Sequence, residues 1–210
     1  MNNDTKVDAS PFDTFESRQA RRLAKRDAVL LASVRMFNEK GFHNTSLDEV
    51  AAGLNISKPT IYHYLGNKEQ VLLECVNRGL LLLQSASQDL RGEEGDAVGR
   101  LKTYLKKYAE VAMSEFGKCV LRTDAESLSK AGAHSFRERK SQINQELERF
   151  IQEAADEGAI AVSNIKITTF AVAGALNWPA IWHNIDGDLS PEEAANELVE
   201  VLFSGLQLRS

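Results

Sequence analysis

Only two of the 210 residues are cysteine, Cys75 and Cys119. They lie far apart and lack metal-ligand spacing, which argues against a zinc site and leaves reduced thiols as the expected state. No apolar run approaches the roughly 18 residues that a membrane-spanning helix needs. The polar start "MNNDTKVDAS" does not resemble a secretory signal. No internal repeat is visible. The histidines His43, His63, His134 and His183 are scattered, with no Ser/His/Asp order, no glycine-rich phosphate loop and no His/Cys cluster. The expectation is a soluble cytoplasmic protein that is not an enzyme and uses no cofactor or metal.

Charge is what the chain does have, unevenly placed. The net charge is −5. Residues 17–68 hold nine basic and four acidic groups, whereas residues 69–210 hold fifteen basic and twenty-two acidic ones. A basic module on an acidic body points to a polyanion as partner for the module alone.

Periodicity is helical almost throughout, and no alternating strand pattern persists. Val29, Leu30, Ser33, Met36 and Phe37 recur at the spacing of a buried helix stripe, with Gly41 as a stop. Thr45 or Ser46 can cap a second helix, with Asp48 and Glu49 in its first turn. A third, short helix is predicted from Lys58 to Leu65, and a long one from Lys68 to about residue 90, broken by "RGEEG". Helices over about 97–115, 118–130, 134–157, 164–184 and 191–206 follow. Gly158 suits a left-handed cap, and Ser190, Pro191 and Glu193 form a capping box. The fold class is all-α: a three-helix N-terminal unit followed by a larger helical body. The organisation expected is a disordered tail at 1–17, a DNA-binding unit at 18–68 and a ligand-binding and dimerisation domain at 69–210.

Two short helices over about 46–53 and 58–64, joined by a tight turn, have the spacing of a helix-turn-helix, whose second helix enters the DNA major groove. Ala51 is small where the helices must approach. Asn55 sits in the turn and tolerates a left-handed conformation. Ser57 can cap the second helix, and Pro59 lies in its first turn, where a missing N–H costs little. With Ile61 and Leu65 turned inward, the exposed side carries Lys58, Pro59, Thr60, Tyr62, His63 and Tyr64, followed by Lys68. Such groups suit phosphate oxygens and base edges. One of the two tyrosines is equally well read as a packing residue, with an apolar body and a wet tip.

The stretch "AVLLASVRMFNEKGFHNTSLDEVAAGLNISKPTIYHYLGNKEQVLLECV", residues 28–76, resembles the DNA-binding region of the TetR/AcrR family of transcriptional regulators. It departs from the family pattern at Asn55, where glycine is usual, and at Gly53, where alanine is common. The resemblance implies that Thr45, Tyr62, Tyr64 and Lys68 hold phosphates, while Lys58, Pro59, Thr60 and His63 lie near base edges beside the capping Ser57. It also likens "RQARRLAKR", residues 18–26, to the family's N-terminal extension, an arm that reaches backbone or minor groove.

For the body, the resemblance implies a homodimer on a pseudo-palindromic double-stranded DNA operator, with the last two helices forming the dimer contact. Trp178 and Trp182 would anchor that contact, facing a stripe of Leu198, Val201, Leu202 and Leu206; an intrachain core is the alternative. Pro179 should kink its helix by removing a bond to the Ala175 carbonyl. A small-molecule effector would occupy the middle helices, with Leu101, Tyr104, Leu105, Tyr108, Val111, Phe116, Leu121, Phe136, Ile143 and Phe170 as candidate lining residues. The ending "GALNW…W…DGDLSPEEAA" is similar to regulators of fatty-acid and steroid degradation, whose inducers are acyl-CoA esters. Lys106, Lys107, Arg122, Arg137, Arg139 and Lys140 are available for the phosphates of such an ester. The function implied is a ligand-released regulator, by family habit a repressor; a helical adaptor that binds only protein is the competing class.

Overall fold

The computed structural model describes residues 15–91, 96–184, 187 and 189–205. Among these, ten α-helices run in order: α1 Phe15–Lys40, α2 Leu47–Gly53, α3 Lys58–Leu65, α4 Lys68–Arg91, α5 Ala97–Met113, α6 Glu115–Arg122, α7 Lys130–Asp156, α8 Ile165–Asn177, α9 Pro179–Trp182 and α10 Pro191–Ser204. No described helix is long and apolar enough to cross a membrane.

Local chemistry sets most boundaries. Gly41 (φ 87°) and Gly158 (φ 71°) adopt the left-handed conformation after α1 and α7, a conformation that costs glycine little. Ser46 and Ser190 each accept from the backbone N–H three residues on, and Glu49 and Glu193 return the bond, completing two capping boxes. Asn67 and Gln70 bond reciprocally at the start of α4, at 2.9 Å each way.

Three expectations change. The tail predicted for 1–17 lies outside the described residues as far as position 14, and α1 already begins at Phe15, so the basic 18–26 segment is helix rather than a free arm. Its Arg, Gln, Ala, Leu and Lys residues are all good helix formers. The helix predicted for 118–130 divides instead: α6 ends at Arg122, Asp124 caps a single 3₁₀ turn at Ala125–Ser127, and Ser129 caps α7. Two closely spaced capping side chains, Asp124 and Ser129, outweigh the apolar periodicity there. At Pro179 the predicted kink is a full break, because the ring supplies no N–H; α8 stops at Asn177 and the short α9 follows.

The helices enclose two cores. The first gathers Leu30, Val34 and Phe37 of α1, Val50 and Ala51 of α2, Ile61 and Leu65 of α3, and Leu72, Cys75 and Val76 of α4, closed by Cys119 and Phe136 from α6 and α7. The second gathers Leu83 of α4 with Leu101, Tyr104, Leu105, Leu147, Phe150, Leu176 and Val199. Helix α4 is common to both, so a displacement of its second half is felt at its first.

Candidate DNA interface and effector pocket

The turn between α2 and α3 is built as the sequence suggests. Asn55 has φ 52°, and Ile56 N–H bonds the carbonyl of Ala51 at 3.0 Å. Ala51 is buried, and Ser57 caps α3 by accepting from Thr60 N–H. Ile61 and Leu65 point into the core, while Ser57, Lys58, Pro59, Tyr62 and His63 face solvent and Thr60 is half-buried.

Several outward side chains are already engaged. Lys58 Nζ donates to Asp48 Oδ2 at 2.8 Å, and that carboxylate raises the lysine's pKa. The Thr60 and Ser57 hydroxyls lie 2.7 Å apart. His63 Nε2 lies 3.4 Å from Arg22 Nη2 of α1, which brings the helical basic segment to the same face as α3. Farther along α1, Arg26 pairs with Glu74 of α4 at 3.3 Å, and Asp27 pairs with Arg78.

Lys68, Tyr62, His43, Asn44, Ser46, Leu47 and Asn67 border a recess of mixed polarity beside α3. Lys68 Nζ donates to the carbonyl of His43 at 3.3 Å and sits 4.4 Å from the Phe42 ring centroid; burial lowers its pKa. Two other predicted phosphate contacts sit in different settings. Thr45 borders the same recess but is buried, and its hydroxyl donates to the carbonyl of Gly41 at 3.0 Å, which secures the α1–α2 turn. Tyr64 is half-buried against the first core, in a groove with Arg26, Glu74 and Arg139, away from the recess that Tyr62 borders. Two residues apart on a helix, the two tyrosines diverge by about 200°.

In the body, a largely apolar cavity of about 300 Å³ lies between α4, α5, α6, α7 and α8. Tyr108, Val111, Leu121, Ile143 and Phe170 line it as expected. Tyr104 does not: it is fully buried and stacked on Phe150 with centroids 4.3 Å apart. Phe116 packs against the first core beneath Arg78, and Phe136 borders a neighbouring polar recess. Sequence reasoning missed the α4 wall of Cys75, Val76, Gly79 and Leu83, and the α7–α8 residues Asn144, Ala173, Gly174 and Asn177. A small-residue position facing a neighbour, such as Gly79 opposite Val111, was the available signal.

Cys75 and Cys119 meet across the α4–α6 contact. Hydrogen bonding between them and burial both push the Cys75 thiol up, the reverse of a reactive thiolate's setting.

Among the predicted dimer anchors, Trp178 is 64% and Trp182 51% exposed. Ile167, Phe170 and Ile181 are exposed on the same α8–α9 segment, and Val201 on α10. Leu198 and Leu202 instead pack half-buried on the second core, so the free α10 residue of that stripe is Val201. Leu206 lies outside the described residues.

Comparison with known proteins adds an independent line. The family model "Bacterial regulatory proteins, tetR family" matches residues 29–75, and "Tetracyclin repressor-like, C-terminal domain" matches residues 94–206, just over half of the chain. The regulator EthR of Mycolicibacterium smegmatis is 42% identical over 53 residues, 25% of this chain and 24% of that one. The curated relatives matched are covered over only 24% to 44% of their own length. The crystal structure of the regulator PfmR from Thermus thermophilus superposes with a TM-score of 0.75 at 25% identity, covering 86% of this chain and 99% of that one. AibR, solved in complex with isovaleryl coenzyme A and operator DNA, superposes with a TM-score of 0.71 at 24% identity, covering 85% and 98%.

Proposed function

The chain belongs to the TetR family of transcriptional regulators, and we propose that it is a ligand-responsive repressor that binds a pseudo-palindromic operator as a homodimer. The observation that carries this reading is α3: capped by Ser57, anchored inward by Ile61 and Leu65, and carrying Lys58, Pro59, Tyr62 and His63 outward. Lys58, Pro59, Thr60 and His63 would meet base edges. Tyr62 and Lys68, which border one recess, would hold a phosphate. The exposed Trp178 and Trp182 supply the aromatic centre of a dimer contact.

Release follows from the shared helix. A ligand in the cavity touches Cys75, Val76, Gly79 and Leu83 of α4, whose first residue, Lys68, is tied to His43 in the turn before α2. Displacing α4 moves α2 and α3, and two heads that must enter successive major grooves about 34–36 Å apart no longer fit. Ligand and DNA then oppose each other by a coupling of roughly 1–3 kcal/mol. The ligand is a small apolar molecule or an acyl-CoA ester; the complex of AibR with isovaleryl coenzyme A and operator DNA supports the second choice.

The test is fluorescence anisotropy with DNA from upstream of the chain's own gene, against random DNA, across a salt series. Affinity for the upstream DNA should fall steeply as salt rises from 50 to 200 mM, roughly 10³-fold or more for six or more phosphate contacts. No salt-dependent preference for that DNA would overturn the reading in favour of a protein-binding adaptor.

A further inference from the structure

Two cavities of opposite character meet on one face of α7. The apolar cavity is lined by Leu83, Val111 and Phe170, and it reaches α7 at Lys140, Ile143 and Asn144. A second recess of about 350 Å³ is mostly polar, lined by Thr123, Asp124, Arg137 and Ser141, and it also includes Lys140 and Asn144. Arg137, Lys140, Ser141 and Asn144 are spaced i, i+3, i+4 and i+7, so a single helical stripe forms the floor of the recess. Lys140 and Asn144 stand at the boundary between the apolar and polar compartments.

Lys140 is the cation that both compartments share. Several other cations of the body have committed partners: Lys102 with Glu200, Lys107 with Glu110, Arg149 with Glu146, and Lys118 and Arg122 with backbone carbonyls. Lys140 is half-buried, lies 5.2 Å from the Phe136 ring centroid, and pairs with no carboxylate among the described residues. The acid in the recess, Asp124, accepts from Glu126 N–H at 3.0 Å, and two cations, Arg137 and Lys140, face it. Burial lowers the Lys140 pKa, which marks a charge with too little local compensation. An anion seated there would supply the missing counter-charge in partly dehydrated surroundings, where such a bond is strong.

We propose that the effector is an amphipathic anion, with its apolar chain in the cavity and its anionic head held at the compartment boundary by Lys140 and Asn144, with Arg137 beyond. This rests on the cavity being the effector site. A fatty carboxylate and a fatty-acyl CoA ester both join an apolar chain to an anion. The carboxylate would end at Lys140, whereas the ester would run past it and place phosphates near Arg137.

Isothermal titration calorimetry with decanoate, decanoyl-CoA, decanol and decyltrimethylammonium tests this on the intact chain. Decanoate or decanoyl-CoA should bind roughly 10–100-fold more tightly than decanol, and the cationic probe should bind least. Lys140→Gln should remove that advantage while leaving decanol affinity unchanged, and Lys140→Arg should keep most of it. Sensitivity of decanoyl-CoA alone to Arg137→Gln identifies the ester as the source; equal loss for both anions at Lys140 only identifies the carboxylate. Decanol binding as tightly as decanoate, or Lys140→Gln leaving both unchanged, overturns the anion proposal and leaves the effector site standing. Binding of none of the four probes overturns both.

Discussion

Arg122 donates from Nη1 to the backbone carbonyl of Asn38, 3.3 Å away, and so ties α6 to the C-terminal end of α1. Its Nε donates at the same time to the carbonyl of Ala180 in α9 at 3.0 Å. One guanidinium thus joins the last turn of α1, from which the helix-turn-helix departs, to the segment that carries the exposed tryptophans. Asn38 returns a bond to the carbonyl of Glu115 at 2.9 Å. Because Gly117, Val120 and Leu121 of the same helix line the cavity, α6 is a second route from effector to head, beside α4.

Arg122→Ala removes these bonds and leaves the carbonyl of Ala180 without that partner. It should cost about 1–3 kcal/mol, a fall in Tm of roughly 2–12 °C for a chain of this size. The effector-induced loss of DNA affinity should shrink more than the effector's own affinity does. Differential scanning fluorimetry and anisotropy with and without effector check both; unchanged coupling would assign transmission to α4 alone.

At the reading helix, substitutions should separate by role. Tyr62→Ala should weaken specific and random DNA alike and leave the salt slope unchanged, since a phosphate contact from a neutral hydroxyl carries no sequence information and releases no counterion. Lys58→Ala and Thr60→Ala should each lower affinity for the operator by roughly tenfold and relax preference at one base-pair position. Binding-site selection followed by sequencing reads the preference directly. Equal losses on operator and random DNA for all three would remove the base-reading roles.

Thr45→Val tests a position where structure and sequence pattern part. The hydroxyl is buried and bonded to the carbonyl of Gly41. Its loss should lower stability by about 1–2 kcal/mol while leaving DNA affinity of the folded protein within about twofold. Chemical denaturation and anisotropy on the same sample decide it.

The comparison of Thr45 with Asn55 explains what the sequence could convey. Asn55, Ser57, Ile61 and Leu65 act through bonds and packing within a few residues, so turn, cap and inward face were all legible. Tyr104 and Tyr108 are four residues apart on one apolar stripe of α5, and nothing local tells them apart. One stacks on Phe150 of α7 and the other opens to the cavity, a difference set by how α5 crosses distant helices. The same holds for Phe116 and for the α4 wall of the cavity. The split of α6 from α7 was hidden because Asp124 and Ser129 act as caps only once the chain turns there. Helix α1 extended farther than predicted because an exposed helix need show no apolar stripe.

Glu74 gives a pH signature for the α1–α4 clamp. Burial raises its pKa, but hydrogen bonds and charge from Arg26 and Arg78 outweigh that, and the net shift is downward from 4.5. A lowered carboxylate contributes stability above its unfolded pKa and loses it as pH falls through the folded value. Between neutral pH and the region below about 4.3, the wild type should therefore lose more Tm than Glu74→Gln does. A Tm series over that range tests the sign; parallel curves would show that the clamp contributes nothing.

The two tryptophans of the chain, Trp178 and Trp182, both lie on the exposed α8–α9 surface, so intrinsic fluorescence reports on that surface alone. A fully buried aromatic hides on the order of 150–250 Å², and Trp178 and Trp182 leave 64% and 51% of their surface for a partner to cover. Interface aromatics commonly cost 2 kcal/mol or more when truncated, which is roughly 30-fold in affinity apiece. On dilution the emission maximum should shift to the red at the same concentration at which light scattering shows the mass halving. Trp182→Ala should move that concentration upward by at least that factor, with operator binding weakening in step because a single head contacts one half-site. Phe170 lies on this surface and also in the cavity wall, so effector should shift the dissociation midpoint as well. A wild-type mass and emission maximum constant from micromolar to nanomolar concentration, unchanged in Trp182→Ala, would take the tryptophans out of the interface.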